Sequence, residues 1–456
     1  MEQLINIINE RFLGIATPIL LMLGGIFLLI RLRLFPIFKA PTVLKSLIKG
    51  SGTHAPSGIP PIRALFLALA GTLGVGNIVG VAGAIYFGGV GSVFWMWISA
   101  FAAMVLKYSE IVLSHKHREC GRDGLPHGSA MGYIKAFFNS IHLRRLGYAV
   151  AAIFAVTCAV NAISMGCIVQ VNAVAHALEG VFSVPSLVTG TLIALSITVI
   201  LFIGRNFISR VTEILVPLMS LIYLVLAFAV IALRRQDSAD ALVSIVKEAL
   251  SLRSATGGVM GFITSRALRL GTMRGLLSNE GGCGTAPIAH SASSERSSAA
   301  QGFLGLAEVF IDTILLCTVT AVVMIVGGGA SVTADFDPVM CVIRSFSTVL
   351  GGWCEYVLGI CVLLFGYATV VCWVYYGSEC VGYLSPSPRS TVTFEIIYIL
   401  STVAGAMVAP SLVLEVADLA LGIMTLINVP ILCFMSGAVR RETDEFFITN
   451  RKKSQK

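Results

Sequence analysis

Long apolar runs without charge recur from one end of the chain to the other, and short polar stretches separate them. About twenty apolar residues are enough for an α-helix to cross a bilayer. The pattern therefore predicts an all-α integral membrane protein of about eleven transmembrane helices. The predicted helices lie near residues 14–33, 62–86, 89–117, 147–178, 184–204, 210–233, 255–275, 303–330, 352–383, 391–409 and 412–437.

The composition supports this class and leaves no long polar segment for a separate soluble domain. Of the 456 residues, 56% are hydrophobic and 12% are charged, whereas about 25% of a typical soluble domain is charged. We therefore treat residues 1–456 as one transmembrane domain in a lipid bilayer. Along the chain, helix 14–33 precedes two sets of five helices, 62–233 and 255–437, and residues 438–456 form a tail.

The positive charge is distributed unevenly between the loops. A formal net charge of +8 could by itself indicate a nucleic-acid partner. Cytoplasmic loops of membrane proteins carry an excess of Lys and Arg. With the amino terminus outside, these residues favour the inside by about four to one. This count places Arg266, Arg269 and Arg274 inside. We expect an outside amino terminus, a cytoplasmic carboxy terminus, a plasma membrane location (in a bacterium, the inner membrane) and no nucleic-acid partner.

Glycines interrupt the first helix of each set of five. Helix 62–86 contains five glycines, and helix 255–275 contains Gly257, Gly258 and Gly261. Lipid cannot satisfy free backbone N–H and C=O groups, so an unwound stretch must face protein, substrate or ion. Close helix packing is the better explanation for a single glycine. Two interrupted helices at matching positions favour a 5+5 inverted-repeat transporter fold with one extra N-terminal helix and a binding site between the repeats.

Two amides in the first set need partners. Asn77 follows Gly76 in the interrupted helix, and Gln170 comes one turn after Gly166 in helix 147–178. An unpaired amide in hydrocarbon is costly, so each should bond another helix or a ligand. A half-helix amino terminus beside Asn77 would offer N–H donors to a carboxylate, and Gly166 would leave room for an amino-acid head group beside Gln170. Hydrogen bonding between helices is the alternative for both.

Two further pairs of residues stand out at helical spacing. Thr369 and Trp373 share one face of helix 352–383, where they could wall a small pocket and offer an oxygen to a hard cation. Trp373 lies well inside its helix, which argues against an interfacial role. Lys107 and Glu110, near the end of helix 89–117, are expected to pair with each other or to place Lys107 at the interface.

Motifs for catalysis and nucleotide use are missing from the sequence. It contains no G-x-x-x-x-G-K-[S/T] and no H-E-x-x-H, and its histidines lack metal-ligand spacing. No paired aspartates or nucleophile–base set stand out on the predicted helices. We therefore expect no nucleotide-driven motor, no enzyme and no prosthetic cofactor.

Three segments together resemble the alanine or glycine:cation symporter family (sodium:alanine symporters) of the amino acid–polyamine–cation transporter superfamily. They are Gly74-Val75-Gly76-Asn77-Ile78-Val79-Gly80-Val81-Ala82, Ser278-Asn279-Glu280-Gly281-Gly282-Cys283-Gly284-Thr285-Ala286-Pro287 and Trp373-Val374-Tyr375-Tyr376-Gly377. Their order and spacing agree with the family over nearly the whole chain, and the second segment is highly specific.

The resemblance implies sodium-driven uptake of small neutral amino acids such as alanine or glycine. The implied substrate-binding residues are Gly76, Asn77, Gly166, Gln170, Gly258, Phe262, Thr369 and Trp373. The implied sodium ligands are Gly71, Gly74 and Thr369. Members of the family usually carry hydroxyls at the positions of Val75 and Ala368, so this chain has two fewer oxygens near these sites. Proton coupling, another small zwitterion and, from a different class, a nontransporting membrane sensor remain alternatives.

Overall fold

The computed structural model describes residues 8–34, 38–40, 58–120, 126–250, 266–331, 337–408 and 410–454. This part of the chain is helical apart from short connections and one antiparallel ribbon, in which Glu119–Cys120 (β1) pairs with Pro126–His127 (β2). The main helices are α1 Gly14–Arg31, α2 Pro61–Thr72, α3 Gly76–Gly88, α4 Ser92–Lys116, α5 Ala130–Ser140, α6 Arg144–Phe182, α7 Ser186–Ile203, α8 Arg205–Leu233, α9 Arg235–Ala249, α10 Arg266–Asn279, α11 Ala286–Ser291, α12 Ser298–Val326, α13 Pro338–Leu350, α14 Trp353–Leu384, α15 Pro388–Gly405, α16 Pro410–Phe434 and α17 Ser436–Ser454.

The helices differ strongly in how much of their surface the protein covers. In the most apolar 18-residue stretch of α4, 83% of the residues are buried, against 33% in α7 and α8. The outer helices expose large apolar side chains such as Leu192, Phe202 and Leu221, which lipid tails accommodate without cost. Helix α4 therefore belongs to the centre of the bundle, and α7 and α8 belong to its lipid-facing rim.

Helices α2 and α3 are one apolar stretch broken between Thr72 and Gly76. The two halves are bent by 52°. Leu73 leaves helical geometry with ψ 65°, so the usual backbone acceptors are lost over the following turn. The interruption predicted from the glycines of helix 62–86 is confirmed, and we call this segment, residues 73–75, the first break.

A second interrupted helix consists of α10 and α11. Between them Glu280, Gly282 and Gly284 have positive φ values of 53°, 95° and 80°, a left-handed geometry that ends a helix. The segment 280–285 is called the second break below. The predicted helix 255–275 ends too early, because α10 continues to Asn279. The break that the structure shows lies in this later glycine-rich segment. The predicted break at Gly257, Gly258 and Gly261 falls outside the described residues.

Helix α10 runs beside α4 in the same direction. Gly271 approaches Ser92 near the start of α4, and Gly281 approaches Ala103 near its middle. The start of α4 belongs to the side that the charge distribution places outside. The prediction that three arginines of α10 lie inside was therefore wrong, because α10 places them level with the outer end of α4. When Arg266, Arg269 and Arg274 are counted outside, the ratio of inside to outside Lys and Arg residues falls to between about two and three to one and still favours the inside.

Within the described chain, eight helices are long and apolar enough to cross a membrane, and the bent pair α2–α3 makes a ninth. About eleven were predicted. The difference lies at α10, which has 14 described residues, and at α15, whose 18 residues include Arg389 and Glu395. A multi-pass membrane protein is confirmed. The number eleven and the 5+5 repeat stay predictions.

Three central helices contain a π-helical turn. The turns are Gly76–Gly80 in α3, Ser164–Ile168 in α6 and Phe310–Cys317 in α12. Such turns disturb the regular hydrogen-bond ladder and are frequent at functional sites. They lie close to one another, since the α3 turn touches the other two. These three turns thus lie together beside the first break.

Candidate functional site

The polar groups freed at the first break are held by side chains from two other helices. Gln170 Oε1 of α6 accepts the Val75 N–H at 2.9 Å. From α14, the Thr369 hydroxyl donates to Ala70 O at 2.9 Å, and Trp373 Nε1 donates to Gly71 O at 3.2 Å. All three side chains are buried. The break is therefore stabilised by neutral hydrogen-bonding groups.

Two glycines allow these side chains to reach the backbone. A Cβ on Gly74 would lie 2.6 Å from both Gln170 Oε1 and Thr369 Oγ1. A Cβ on Gly166 would collide with the indole of Trp373. The structure thus brings the predicted residues of α6 and α14 into contact at one point.

Gly76 and Asn77 begin the second half of the interrupted helix. Asn77 Nδ2 donates to Asp312 Oδ1 at 2.8 Å and to Asp312 O at 3.0 Å. Gly76 faces Ser278 at the end of α10, which a Cβ on Gly76 would approach at 3.8 Å. Every predicted site residue in the described part of the chain therefore lies at or beside the first break. Gly258 and Phe262 lie outside the described residues.

Asp312 is a site residue that the sequence reasoning missed. Its Oδ2 accepts hydrogen bonds from the hydroxyls of Ser278 at 2.7 Å and Thr313 at 2.8 Å. Asp312 therefore joins the start of α3 to the end of α10. A carboxylate inside an apolar helix is a functional signal in its own right, and it could have been found by that rule.

A second missed group surrounds Glu308, one turn before Asp312. Lys107 Nζ lies 2.6 Å from Glu308 Oε1, with both side chains buried. His290 Nε2 lies 3.2 Å from Glu308 Oε2, and the Thr72 hydroxyl donates to Oε1 at 3.3 Å. Pairing of Lys107 with Glu110 and placement of Lys107 at the interface were both wrong, because α12 packs against α4 and places Glu308 opposite Lys107.

Glu110 instead binds the backbone of the second break. Its Oε1 accepts the Gly284 N–H at 2.9 Å and Asn428 Nδ2–H at 2.6 Å. Asn428 also donates to Gly282 O at 2.9 Å. Asn279 Oδ1 accepts the Gly281 N–H at 2.9 Å, so one carboxylate and two amides bind backbone groups of the second break.

In the described segments, no three His, Cys, Asp or Glu side chains are placed to hold a metal ion together. A hard cation in this region would rely on carbonyl and hydroxyl oxygens, as ions do beside unwound helices.

Comparisons with known proteins identify the family of the chain. The model of the sodium:alanine symporter family matches residues 1–456. The sodium/alanine symporter AgcS of Methanococcus maripaludis is 33% identical over 457 residues, which cover 97% of each chain. The probable sodium/glutamine symporter GlnT of Bacillus subtilis is 29% identical over 459 residues, which cover 100% of this chain and 92% of that protein.

A solved structure supports the fold independently. The structure of MhsT in complex with L-phenylalanine has a TM-score of 0.59 and 14% sequence identity, and the match covers 84% of this chain and 91% of that one. At this identity the likeness concerns the fold alone. The expectation that the protein is not an enzyme is confirmed, because the family and AgcS are symporters. The chain belongs to the sodium:alanine symporter family and is a cation-coupled amino-acid transporter of the membrane.

Proposed function

We propose that the protein is a sodium-coupled symporter that takes up small neutral amino acids such as alanine or glycine. The observation that carries the proposal is the first break, where neutral side chains of α6 and α14 hold the freed backbone groups. Such bonds can be exchanged for bonds to a ligand without leaving a charge unpaired. The carrier would work by alternating access, with the break as the central binding point.

The substrate would interact with the two sides of the first break. Its carboxylate would meet the amides at the start of α3, where the helix dipole favours negative charge, near Gly76 and Asn77. Gln170 would exchange its bond to Val75 for one to the head group. Trp373, packed on Gly166, would limit the size of the side chain. Gly258 and Phe262 belong to the proposal through the family resemblance.

The coupling sodium ion would use oxygens near the same break. The candidates are the carbonyls of Gly71 and Gly74 and the hydroxyl of Thr369, which already reaches the Ala70 carbonyl. Unwound carbonyls and hydroxyls are the usual ligands of sodium in carriers with interrupted helices. We further propose a plasma membrane location, the inner membrane in a bacterium, with the amino terminus outside and the carboxy terminus in the cytoplasm.

Counterflow in proteoliposomes tests this function. Vesicles preloaded with unlabelled alanine should accumulate labelled alanine and glycine when sodium is present on both sides, and not when sodium is replaced by choline. Glutamine, leucine and other small zwitterions complete the panel. Exchange of alanine without sodium but with dependence on a proton gradient would overturn the coupling ion. Exchange of a different zwitterion, with none of alanine or glycine, would overturn the substrate.

A further inference from the structure

Three basic side chains lie together where the chain turns from α5 into α6. Lys135 Nζ lies 5.8 Å from the ring centre of Tyr148, and the guanidinium carbon of Arg144 lies 5.6 Å from the same centre. Lys135 Nζ also lies 5.0 Å from the ring centre of Tyr383, near the end of α14. Arg145, the next residue of α6, is exposed. Tyrosine rings of two helices thus hold an ammonium and a guanidinium close together, at distances typical of cation–π contacts.

The three cations lack an acidic partner within the described part of the chain. The ion pairs found there include none of them. Carboxylates at the same end of the molecule pair elsewhere, as Glu442 does with Lys116 and Glu379 with His127. An aromatic ring orients a cation without neutralising it. The basic group is therefore suited to bind an anion from outside the chain.

An apolar surface begins directly at this basic group. Leu143 and Leu146, on either side of the two arginines, are 49% and 48% exposed. Along α6 the exposed positions continue at spacings of three and four residues, which places them on one face of the helix. These positions are Leu146, Ala149, Ile153, Val156 and Val160. Since α6 is long and apolar enough to cross a membrane, this face lies against acyl chains, and the cations lie where it begins.

The position of the basic group fits the headgroup region of a bilayer. A Cβ on Gly132 of α5 would lie 3.5 Å from the carbonyl oxygen of His117, directly after α4. The group is therefore on the side that we propose as cytoplasmic. Tyrosine is enriched at membrane–water interfaces, and basic pockets between helices on the cytoplasmic side suit anionic headgroups. A free phosphate ion would use the cations but not the apolar face beside them.

We propose that Lys135, Arg144 and Arg145 bind the headgroup of an anionic phospholipid whose acyl chain lies along the exposed face of α6. Arginine binds phosphate oxygens through paired hydrogen bonds. Tyr148 positions one guanidinium beside the ammonium of Lys135, so that both reach the same headgroup. The bound lipid joins α5 to α6, the helix that carries Gln170 at the first break.

Titration of the purified full-length protein in a neutral detergent with fluorescent phosphatidylglycerol tests the site. Phosphatidylcholine with the same acyl chains and label is the comparison, and it should bind at least about tenfold more weakly, since each basic residue near an anionic headgroup contributes about fivefold in affinity. Arg144→Gln combined with Arg145→Gln should lose most of this preference. Arg440→Gln combined with Arg441→Gln is the matched control. It also removes two adjacent arginines at this end of the molecule, but Arg440 already has Asp444 at 3.6 Å, so the affinity should not change.

Equal affinity of the unmodified protein for the two lipids would overturn the proposal, and so would an equal loss in the two double variants. Displacement of phosphatidylglycerol by inorganic phosphate, at an ionic strength where potassium chloride has no effect, would show a site for a free anion instead. If Arg144→Gln with Arg145→Gln does not melt cooperatively, Tyr148→Leu decides. That variant keeps all three charges and removes the ring that positions them, so an unchanged affinity in the folded variant contradicts the site.

Discussion

At both breaks, side chains bind the backbone groups that have lost their partners within the helix, but these side chains differ in charge. At the first break the freed groups of Ala70, Gly71 and Val75 are bound by a hydroxyl, an indole and an amide. At the second break, Gly284 N–H is bound by the carboxylate of Glu110. Glu280, also buried there, accepts the Thr285 hydroxyl at 2.6 Å. The three side chains at the first break are thus all neutral, whereas the second break uses the carboxylate of Glu110 beside the neutral amides of Asn279 and Asn428.

The difference assigns separate tasks to the two breaks. A neutral hydrogen bond contributes about 1 kcal/mol net, so a ligand can displace it and leave the fold intact. A buried charge that loses its partner is far more costly. We therefore interpret the first break as the place where substrate is exchanged. We interpret the second break, with the Lys107–Glu308 pair beside it, as a fixed part of the structure that positions the first break, and we call this part the frame.

The largest expected effect comes from the frame. Lys107→Ala leaves Glu308 buried without its cation, and breaking such a pair costs about 3–5 kcal/mol. We expect little folded protein, seen as a lower melting temperature and a smaller monodisperse peak in size-exclusion chromatography. The double variant Lys107→Met with Glu308→Gln has no unpaired charge and should recover most of the folded protein. Wild-type stability in Lys107→Ala would show that the pair does not hold the frame.

An intermediate effect is expected at the pocket wall. Trp373→Ala opens the space above Gly166 and should admit larger side chains such as those of leucine or methionine. A hydrophobic pocket distinguishes ligands by about 1–3 kcal/mol per methylene, so competition against alanine uptake should reveal the change. Trp97→Ala is the control, since Trp97 is also an at least partly buried tryptophan but donates to Thr318 of α12 at 2.8 Å. The same competition profile in both variants would place Trp373 outside the pocket.

The smallest expected effect concerns sodium at the first break. Ala368→Ser restores a hydroxyl beside Thr369 in α14, and one added oxygen should tighten the sodium activation of uptake by up to about tenfold, because water can replace part of its contribution. The measurement is the initial rate against sodium concentration at fixed membrane potential, with Ala177→Ser on α6 as control. No shift in Ala368→Ser would argue that the ion near Thr369 is already fully coordinated or lies elsewhere.

The sequence was sufficient to predict the first break and the residues around it. Glycines in an apolar helix are a local signal. Helical spacing also indicated that Gly166 shares a face with Gln170, and Thr369 with Trp373. The second break at 280–285 lies beyond the end of the predicted helix 255–275. The arginines that precede Ser278 fall within that predicted helix, and only the packing of α10 along α4 shows that they lie level with the start of α4.

The charged frame could not be predicted because its partners are distant in sequence. Lys107 and Glu308 are separated by 201 residues, and helical spacing instead indicated Glu110, three residues away. The choice between the two depends on which helix packs against α4. Carboxylates within the predicted helix 303–330 were nevertheless visible, and Glu308 and Asp312 share one face at a spacing of four residues.

The most direct test of the different tasks compares two neutral amides, one at each break. Binding of labelled alanine to purified protein in sodium should be measured for Gln170→Ala and Asn428→Ala, together with their melting temperatures. We predict that Gln170→Ala loses alanine binding and melts close to the unmodified protein. Asn428→Ala should melt lower and bind alanine with unchanged affinity per folded molecule. Normal alanine binding by folded Gln170→Ala, or loss of binding in both variants alike, would contradict the account.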